Sequence, residues 1–573
     1  MAWSSLQKRL LPDLTNRSHP SVTFKNILLN HNWNQMNIKQ VVSSLTVFLG
    51  AVAIGCTTGK APNDATPSVT MAETKKQGEP HRLQYHFTPP SKWMNDPNGM
   101  VYHKGEYHLF YQHNPGGTTW GPMHWGHAIS KDMVSWEHLP IALFPDENGT
   151  IFSGSAVIDE NNTSGLGTKA NPPMVAIYTY HNEKLEKAGR TDYQTQGLAF
   201  SLDNGRTWKK YDKNPVLKNP GIRDFRDPKV SWNEKAGQWV MTLAVLDHIE
   251  FYGSKNLTEW TKLSEFGKNS GAHGGVWECP DLFPLKVNGQ EKWVLLVSIN
   301  PGGPNKGSAT QYFLGDFDGK TFKNDNPEQT TFWVDYGTDN YAGVTWDNIP
   351  KSDGRRLFLG WMSNWLYANE VPTGTWRSAN TLPRELKLVQ TPEGIRLVSE
   401  PVKELQKLRV NTTTLKAQPV SGPLDLSSQY KLNSPLQELD LNLDVSQAQE
   451  ITVRFSNTKG EHLDVGYSVS RKEMFIDRTK AGKIDFKDTF PGRHTAPLTL
   501  ENGKLNLHLF LDVASVEVFA NGGRAVMTDI FFPNEDFTKV ELISSGPVQL
   551  LESKAYKMKP SMKSASGLTM GAK

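Results

Sequence analysis

The sequence predicts an all-β protein in which a β-propeller is followed by a C-terminal β-sandwich. Three observations predict this fold: short strand-like runs bounded by Gly, Pro, Asn and Asp, no long amphipathic helical pattern between them, and a recurring polar turn that leads to a large aromatic residue. The chain has 573 residues, with 47 Gly and 17 Trp, which suits turn-rich β structure. This length favours two folded domains.

The N-terminal part of the chain resembles an export signal. A mostly apolar run, Val41 to Ile54, follows Lys39 and ends in small residues before Cys56, as in the signal and cleavage site of a bacterial lipoprotein. A helix needs about 20 apolar residues to span a bilayer, and this run is shorter. We therefore expect Cys56 to be lipidated. An ordinary cleaved signal peptide or a short buried helix is the alternative.

This interpretation predicts an exported, membrane-anchored lipoprotein that is periplasmic or exposed on the cell surface. The lipid would be the only contact with the membrane, and the polar stretch after Cys56 would serve as a flexible tether. Because a signal peptide begins a chain, translation starting at Met36 fits this arrangement better than translation starting at Met1.

The recurring turn predicts the propeller. Each copy pairs a polar turn with an aromatic residue a few positions later, as in Ser130-Lys131-Asp132 before Trp136. A unit of four short strands cannot bury both faces by itself, so the units are expected to stack around an axis as blades. Four copies predict at least four blades, and chance recurrence of turn chemistry is the alternative. The aromatic anchors are Trp136, Trp208, Trp260 and Phe322.

The remaining sequence completes the predicted organisation. Arg355 to Pro383 contains strand-like segments for a fifth blade, and Leu386 to about Pro419 is expected to be a partly extended connection. Apolar and polar residues then alternate, and Asn521-Gly522-Gly523 predicts a hairpin turn, which favours a sandwich. The expected segments are an N-terminal extension and signal peptide at 1–55, a tether at 56–80, the propeller at 81–395, a linker at 396–419, the sandwich at 420–558 and a tail at 559–573.

Charge and metal-ligand patterns exclude some classes of partner. The 62 basic and 59 acidic residues leave a formal charge of +3, too small to indicate nucleic acid binding. We expect no cofactor and no metal, and the oligomeric state stays open. The histidines near the candidate site resemble no metal-binding pattern and are interpreted as structural or at the pocket rim; they are His113, His124, His127 and His273.

Three carboxylic acids occupy unusual settings and predict acid/base chemistry. Asp96 lies in Trp93-Met94-Asn95-Asp96-Pro97-Asn98-Gly99, Asp227 follows Arg226 and precedes a proline, and Glu278 lies between Trp277 and Cys279. Any one alone is compatible with a structural turn. Each acid, however, precedes an aromatic anchor by a similar stretch of chain. If each blade begins with its innermost strand and the anchor lies near its outer end, the acids converge at one mouth of the central channel. Three carboxylates so close would repel one another, so one of them must be partly protonated at working pH.

Together these motifs resemble glycoside hydrolase family 32. The motifs are Trp93 to Gly99, Phe152-Ser153-Gly154-Ser155, Phe225 to Pro228 and Trp277-Glu278-Cys279-Pro280, and the resemblance covers about His81 to Met558. Its closest form is the exo-acting fructan β-fructosidase, the levanase and inulinase type. Further support comes from the segments Gly271 to Gly275, Asn340 to Trp346 and Trp361 to Trp365.

The resemblance implies a five-bladed propeller and a retaining double displacement on a fructan, with sucrose as a further candidate substrate. Asp96 would be the nucleophile, Glu278 the acid/base, and Asp227 the stabiliser of the transition state. The residues that the resemblance places around the fructosyl unit are Asn95, Gln112, Trp120, Phe152, Ser153, Arg226 and Trp365. Trp120 and Phe152 could instead belong to the core, whereas the polar side chain of Gln112 in an apolar strand needs a partner.

Two other functions fit parts of the same pattern. A sugar-binding propeller without catalysis would keep the aromatic residues but would not need the three acids. A fructosyltransferase would use the same covalent intermediate and pass the fructosyl group to a sugar instead of water. The sequence leaves open the preference between β-2,6 and β-2,1 linkages and between exo and endo action.

Overall fold

The computed structural model describes residue 79 and residues 81–561, and the regular secondary structure of these residues is almost entirely β-strand. The predicted signal peptide, the lipid attachment at Cys56, most of the tether and the tail beyond 561 lie outside the described residues. Within the described part of the chain, no helix has the length and apolar character required to cross a membrane.

Five sheets follow one another along the first part of the described chain, and we name them blades 1 to 5. Blade 1 comprises Lys92–His103, Glu106–Asn114, His124–Ser130 and Trp136–Leu143; blade 2 comprises Thr150–Ile158, Met174–His181, Gln194–Ser201 and Lys209–Lys210; blade 3 comprises Phe225–Asn233, Gln238–Val245, His248–Ser254 and Thr261–Phe266. Blade 4 comprises Val276–Val287, Gln290–Asn300, Ala309–Phe317, Phe322–Asn324 and Phe332–Trp333; blade 5 comprises Tyr341–Thr345, Arg356–Met362, Ala379–Asn380, Arg384–Thr391 and Gly394–Pro401.

The five blades close into a ring, which confirms the predicted propeller. The first strand of each blade packs beside the first strand of the next, and that of blade 5 packs beside that of blade 1, so these strands are innermost. Trp376–Arg377, which the sequence assigned to the fifth blade, instead pairs in parallel with Lys92 and Trp93 of blade 1. This pairing joins the last blade to the first.

The recurring turn connects the third strand of a blade to the outermost one. In blades 1 to 3 a serine hydroxyl and the Asp or Asn two residues later organise the turn. Each tryptophan anchor donates its indole N–H to the carbonyl oxygen three residues earlier, at 3.0 Å in all three blades. In blade 4, Asp318 accepts from the amides of Lys320 and Thr321 before Phe322. A turn organised by an Asp or Asn side chain therefore recurs four times, and the serine and indole contacts accompany it in three of the four.

The structure corrects the predicted linker. Residues 396–419 are not a connection, because Gly394–Pro401 pairs with Arg384–Thr391 as the outer hairpin of blade 5. Arg409–Leu415 is already a strand of the sandwich. Its Asn-Thr-Thr-Thr run is polar because the strand lies at a sheet edge and is largely exposed. The connection reduces to a 3₁₀ helix, Lys403–Leu408.

The C-terminal part folds as a two-sheet sandwich, with alternating leucines turned toward its core. One sheet comprises Arg409–Leu415, Gln418–Val420, Gln437–Asp444, Lys504–Asp512, Ser515–Ala520, Ala525–Ile530, Val548–Leu550 and Ser553–Met558. The other comprises Leu424–Asp425, Glu450–Ser456, His462–Ser468, Glu473–Lys480, Arg493–Pro497 and Lys539–Ser544. The predicted hairpin at Asn521 joins Ser515–Ala520 to Ala525–Ile530. Two short helices, Glu183–Lys187 and Leu426–Tyr430, complete the described elements.

Buried charges join the propeller to the sandwich. Arg384 of blade 5 donates to Glu517 of the sandwich at 2.5 Å and to Asp335 at 2.9 Å, and all three side chains are buried. His86 lies between Asp512 and Glu517. Burial alone would lower the pKa of His86, but these two carboxylates outweigh it and raise the pKa to about 9. Removing one partner would leave an uncompensated buried charge, so the network holds the two parts together.

Candidate active site

A polar cavity of about 430 Å³ lies near the beginning of the innermost strands. All ten predicted site residues line it: Asn95, Asp96, Gln112, Trp120, Phe152, Ser153, Arg226, Asp227, Glu278 and Trp365. Six further lining residues were not predicted: His181, Glu186, Tyr193, Gln194, Asp224 and Asn300.

Each innermost strand carries a β-bulge at the level of this cavity, where two of its residues face one residue of the neighbouring strand. The bulged pairs are Asn95 and Asp96, Phe152 and Ser153, Asp227 and Pro228, Cys279 and Pro280, and Ala342 and Gly343. A bulge bends its strand and redirects a side chain. Here it turns Asp96, Ser153 and Asp227 toward the cavity.

The bulges explain the recurrence of proline after the candidate residues. Proline cannot donate to a sheet ladder, so within sheets it is confined to edge strands, strand beginnings and bulges. The innermost strand of blade 3 is both an edge strand and bulged at Asp227-Pro228. Asp227 adopts a φ of 63° and Cys279 a φ of 44°, both in the left-handed region that non-glycine residues rarely occupy. Backbone strain of this kind persists only where the surrounding structure holds the residue in place, and strained residues cluster at functional sites.

Asp96 is held by three donors. Ser153 donates its hydroxyl to Oδ2 at 2.6 Å, Asn95 donates its amide to Oδ1 at 3.0 Å, and the Cys279 thiol lies 3.5 Å from Oδ2. Burial raises the pKa of the Asp96 carboxyl, against the hydrogen bond from Ser153, which lowers it, and the negative charge of Glu278 adds to the rise. The carboxyl group is therefore fixed in one orientation in a place that disfavours its charge.

Asp227 is the second buried carboxyl group. Its Oδ2 accepts from the Cys279 amide at 3.0 Å, and the thiol of Cys279 lies 3.6 Å away. Burial raises the pKa of Asp227 to about 7, although the charge of Arg226 pulls the other way. Burial also raises the pKa of the Cys279 thiol, so the S–H remains protonated and is shared between Asp96 and Asp227.

Both carboxylate oxygens of Glu278 accept hydrogen bonds. Arg226 donates to Oε1 from Nε at 3.1 Å and from Nη2 at 3.0 Å, and the Tyr341 hydroxyl contacts Oε2. Burial raises the pKa of Tyr341 well above its usual range, so the phenol acts as the donor. Tyr341 lies in the Asn340 to Trp346 segment, which the sequence singled out without a role for this residue.

Arg226 directly precedes Asp227 in the sequence, but its hydrogen bonds go to other carboxylates. Its guanidinium forms hydrogen bonds with Glu278 and with Asp224, the latter at 2.5 Å. Its charge still lowers the pKa of Asp227, but as a through-space effect. The arginine therefore positions Glu278 directly, which the sequence neighbourhood of Arg226 and Asp227 did not indicate.

The remaining predicted residues line the same cavity. Trp120 is 41% exposed and packs edge-to-face against Phe152, with ring centroids 6.1 Å apart, so it is not a core residue. Trp365 stacks on Trp93. Gln112 is buried, and its Nε2 has no hydrogen-bond partner among the residues that the structure describes. A buried amide donor in a cavity requires a partner, and a sugar hydroxyl can supply one.

One cluster of potential metal ligands lies elsewhere, on blade 3. In the described part of the chain, His248, Glu250 and Glu265 have ligand atoms close enough to share an ion. The ammonium group of Lys262 already contacts Glu250 at 2.5 Å and Glu265 at 3.1 Å. Lysine thus supplies the positive charge that an ion would bring.

Comparison with known proteins identifies relatives along almost the whole described chain. The model of the glycosyl hydrolases family 32 N-terminal domain matches residues 86–401, and that of the family 32 C-terminal domain matches residues 404–557. A levanase of Bacillus subtilis (strain 168) is 51% identical over 484 residues, which cover 83% of this chain and 70% of the levanase. An extracellular exo-inulinase of Aspergillus ficuum is 39% identical over 508 residues, which cover 83% of this chain and 94% of that enzyme.

Solved structures agree with these sequence matches. The crystal structure of exo-inulinase from Aspergillus awamori superposes with a TM-score of 0.77 at 35% sequence identity. The superposition covers 84% of this chain and 99% of the inulinase chain.

Proposed function

The chain belongs to glycosyl hydrolase family 32, and we propose that it releases fructose from β-fructans such as levan and inulin. It is a retaining glycoside hydrolase, in which two successive displacements preserve the configuration of the anomeric carbon. The observation that carries this function is the convergence of Asp96, Asp227 and Glu278 from three innermost strands into one cavity.

In the first step of this proposal, Asp96 attacks the anomeric carbon of the terminal fructosyl unit. The bond from that carbon to the bridging oxygen breaks, and Glu278 gives its proton to the departing oxygen. Ser153 and Asn95 hold the attacking carboxylate in one orientation, which lowers the entropic part of the barrier.

In the second step, Glu278 takes a proton from water, and the water oxygen attacks the same carbon and displaces Asp96. Free fructose leaves, and both carboxyl groups return to their starting state. Asp227 binds ring hydroxyls and stabilises the positive charge that develops on the sugar. In addition to burial, the negative charge of Glu278 raises the pKa of both Asp96 and Asp227, and the charge of Asp96 raises the pKa of Asp227 further.

Timed digestion of levan, inulin and sucrose tests this function. Wild-type protein should release free fructose from the first time point, whereas Asp96→Asn should release none. Products longer than the starting chains would indicate transfer of fructosyl groups to sugar, and binding without any product would indicate a lectin. The initial rates on the two polymers measure the preference between β-2,6 and β-2,1 linkages.

The proposal extends to the location of the enzyme. Export is supported by the apolar run Val41 to Ile54 and by the extracellular exo-inulinases among the relatives. Lipidation of Cys56 rests on the sequence pattern alone. Replacing Cys56 with serine should abolish incorporation of labelled fatty acid and release active enzyme from membranes, and unchanged labelling would contradict the assignment.

A further inference from the structure

One wall of the cavity is formed by a segment of blade 2 that no sequence motif marked. Between the strands Met174–His181 and Gln194–Ser201, the chain forms the short helix Glu183–Lys187. Asn182 caps this helix by accepting from the amides of Lys184 and Leu185, at 3.2 Å each. The cap fixes the start of the helix, from which Glu186 reaches the cavity.

His181 orients the carboxylate of Glu186. Its ring stacks on Phe152 with centroids 4.3 Å apart and an interplanar angle of 1°. Gln194 uses its carbonyl oxygen to accept from the Phe225 amide, so its Nε2 donates to Nδ1 of His181 at 3.3 Å. The remaining ring proton therefore lies on Nε2, which donates to Glu186 at 3.1 Å.

The same wall continues to Glu278. Gln194 lies 3.5 Å from Nη1 of Arg226, and Arg226 donates to Glu278. The sugar unit that departs must lie on the Glu278 side of the scissile bond, because Glu278 protonates the oxygen that this unit carries away. Contacts thus run from Glu278 through Arg226, Gln194 and His181 to Glu186, and both carboxylates line the same cavity. The side chain of Glu186 is 47% exposed, as expected at a mouth through which a polymer leaves.

We propose that Glu186, oriented by His181, hydrogen-bonds hydroxyl groups of the fructan unit next to the scissile bond. This inference rests on the proposed function, since it concerns the leaving side of the same cavity. A carboxylate accepts from two hydroxyl groups at once, and charged hydrogen bonds are stronger than neutral ones. Phe152, against which His181 stacks, forms the adjoining part of the wall.

Two substrates separate the leaving side from the fructosyl side. Levanbiose, the β-2,6 disaccharide of fructose, places a second sugar against Glu186, whereas methyl β-fructofuranoside places only a methyl group there. Glu186→Ala should lower kcat/KM for levanbiose about tenfold, which is about 1.4 kcal/mol of binding. The value for the methyl fructoside should be unchanged. Glu183→Ala is the matched control, because Glu183 belongs to the same helix but pairs with Lys187 and does not line the cavity.

The outcomes distinguish this inference from the proposed function. Wild-type protein that hydrolyses neither compound would refute the function, whereas equal losses on both compounds, or no loss on either, would refute the role of Glu186 alone. His181 is a positioning residue, so His181→Gln should mainly raise KM for levanbiose. Adding Glu186→Ala to that variant should then lower kcat/KM for levanbiose much less than the same substitution does in the wild type. If the effects of the two substitutions on kcat/KM for levanbiose are fully additive, His181 does not act through Glu186.

Discussion

Replacing Asp227 with asparagine should stabilise the protein at alkaline pH while removing most of its activity. The carboxyl group of Asp227 has a pKa of about 7 in the folded chain and an ordinary value of 3.8. The folded state therefore holds this proton more tightly than the unfolded state does. The contribution of the Asp227 proton to the free energy of unfolding is complete below about pH 4 and is lost as the pH rises to about 7.

The size of the effect follows from this difference in pKa. A difference of about three units, at about 1.4 kcal/mol per unit, amounts to about 4 kcal/mol at pH 8. Asparagine removes the charge but keeps an oxygen that accepts from the Cys279 amide. For a folded unit of roughly 480 residues, with an unfolding entropy of about 2 cal/mol/K per residue, the gain corresponds to a rise in Tm of about 4 °C.

Thermal unfolding of both proteins at pH 4 and pH 8 measures this directly. The Tm values should nearly coincide at pH 4, and the variant should melt higher at pH 8. Its activity should fall roughly 10²–10³-fold, the usual effect of losing one stabilising group at a transition state. Asp316→Asn, which changes a largely exposed aspartate of blade 4, should leave the Tm unchanged at both values. A variant that melts below wild type at pH 8 would refute the reasoning.

Three further predictions concern other contacts. Ser153→Ala removes the 2.6 Å hydrogen bond that lowers the pKa of Asp96, so the acidic limb of the kcat/KM profile should move to higher pH; an unmoved limb would contradict the proposed role of Asp96. His86 has a raised pKa of about 9, so its contribution of about 3 kcal/mol is complete below about pH 6.5 and is lost as the pH rises through 9. His86→Gln should therefore flatten the fall in Tm over that range, and an unchanged slope would show that His86 is not the titrating group. Trp120→Ala should raise KM for levan and change kcat less, whereas a purely structural Trp120 would lower Tm and leave KM alone.

Much of the propeller could be predicted because its turns have a local cause. The serine, the Asp or Asn two residues later, and the tryptophan that donates back to the turn all lie within a few residues, as in Ser254 to Trp260. Blade 5 has no such turn in its outer hairpin, so the chain from Leu386 to about Pro419 was assigned to a connection. The polar edge strand Arg409–Leu415 was missed because exposure removes the apolar alternation on which strand prediction depends.

The candidate site could be predicted only as far as its motifs extend. The acids and their neighbours stand in recognisable segments, whereas His181, Glu186 and Asn300 enter the cavity through the folding of separate blades. The contact of Arg226 with Glu278 joins blades 3 and 4 and has no sequence signature. The bulges were also hidden, although a proline after an acid within an apolar strand is a signal that could have indicated them.

The most direct test of the mechanism is to trap the fructosyl-enzyme intermediate. Glu278→Ala lacks the base needed for the second step, and fructosyl fluoride has a leaving group that needs no proton in the first, so the intermediate should accumulate. Mass spectrometry should then find the protein heavier by one fructosyl group, carried on the peptide that contains Asp96. An adduct on Asp227, or full turnover of the fluoride without any adduct, would contradict the assignment of Asp96 as the nucleophile.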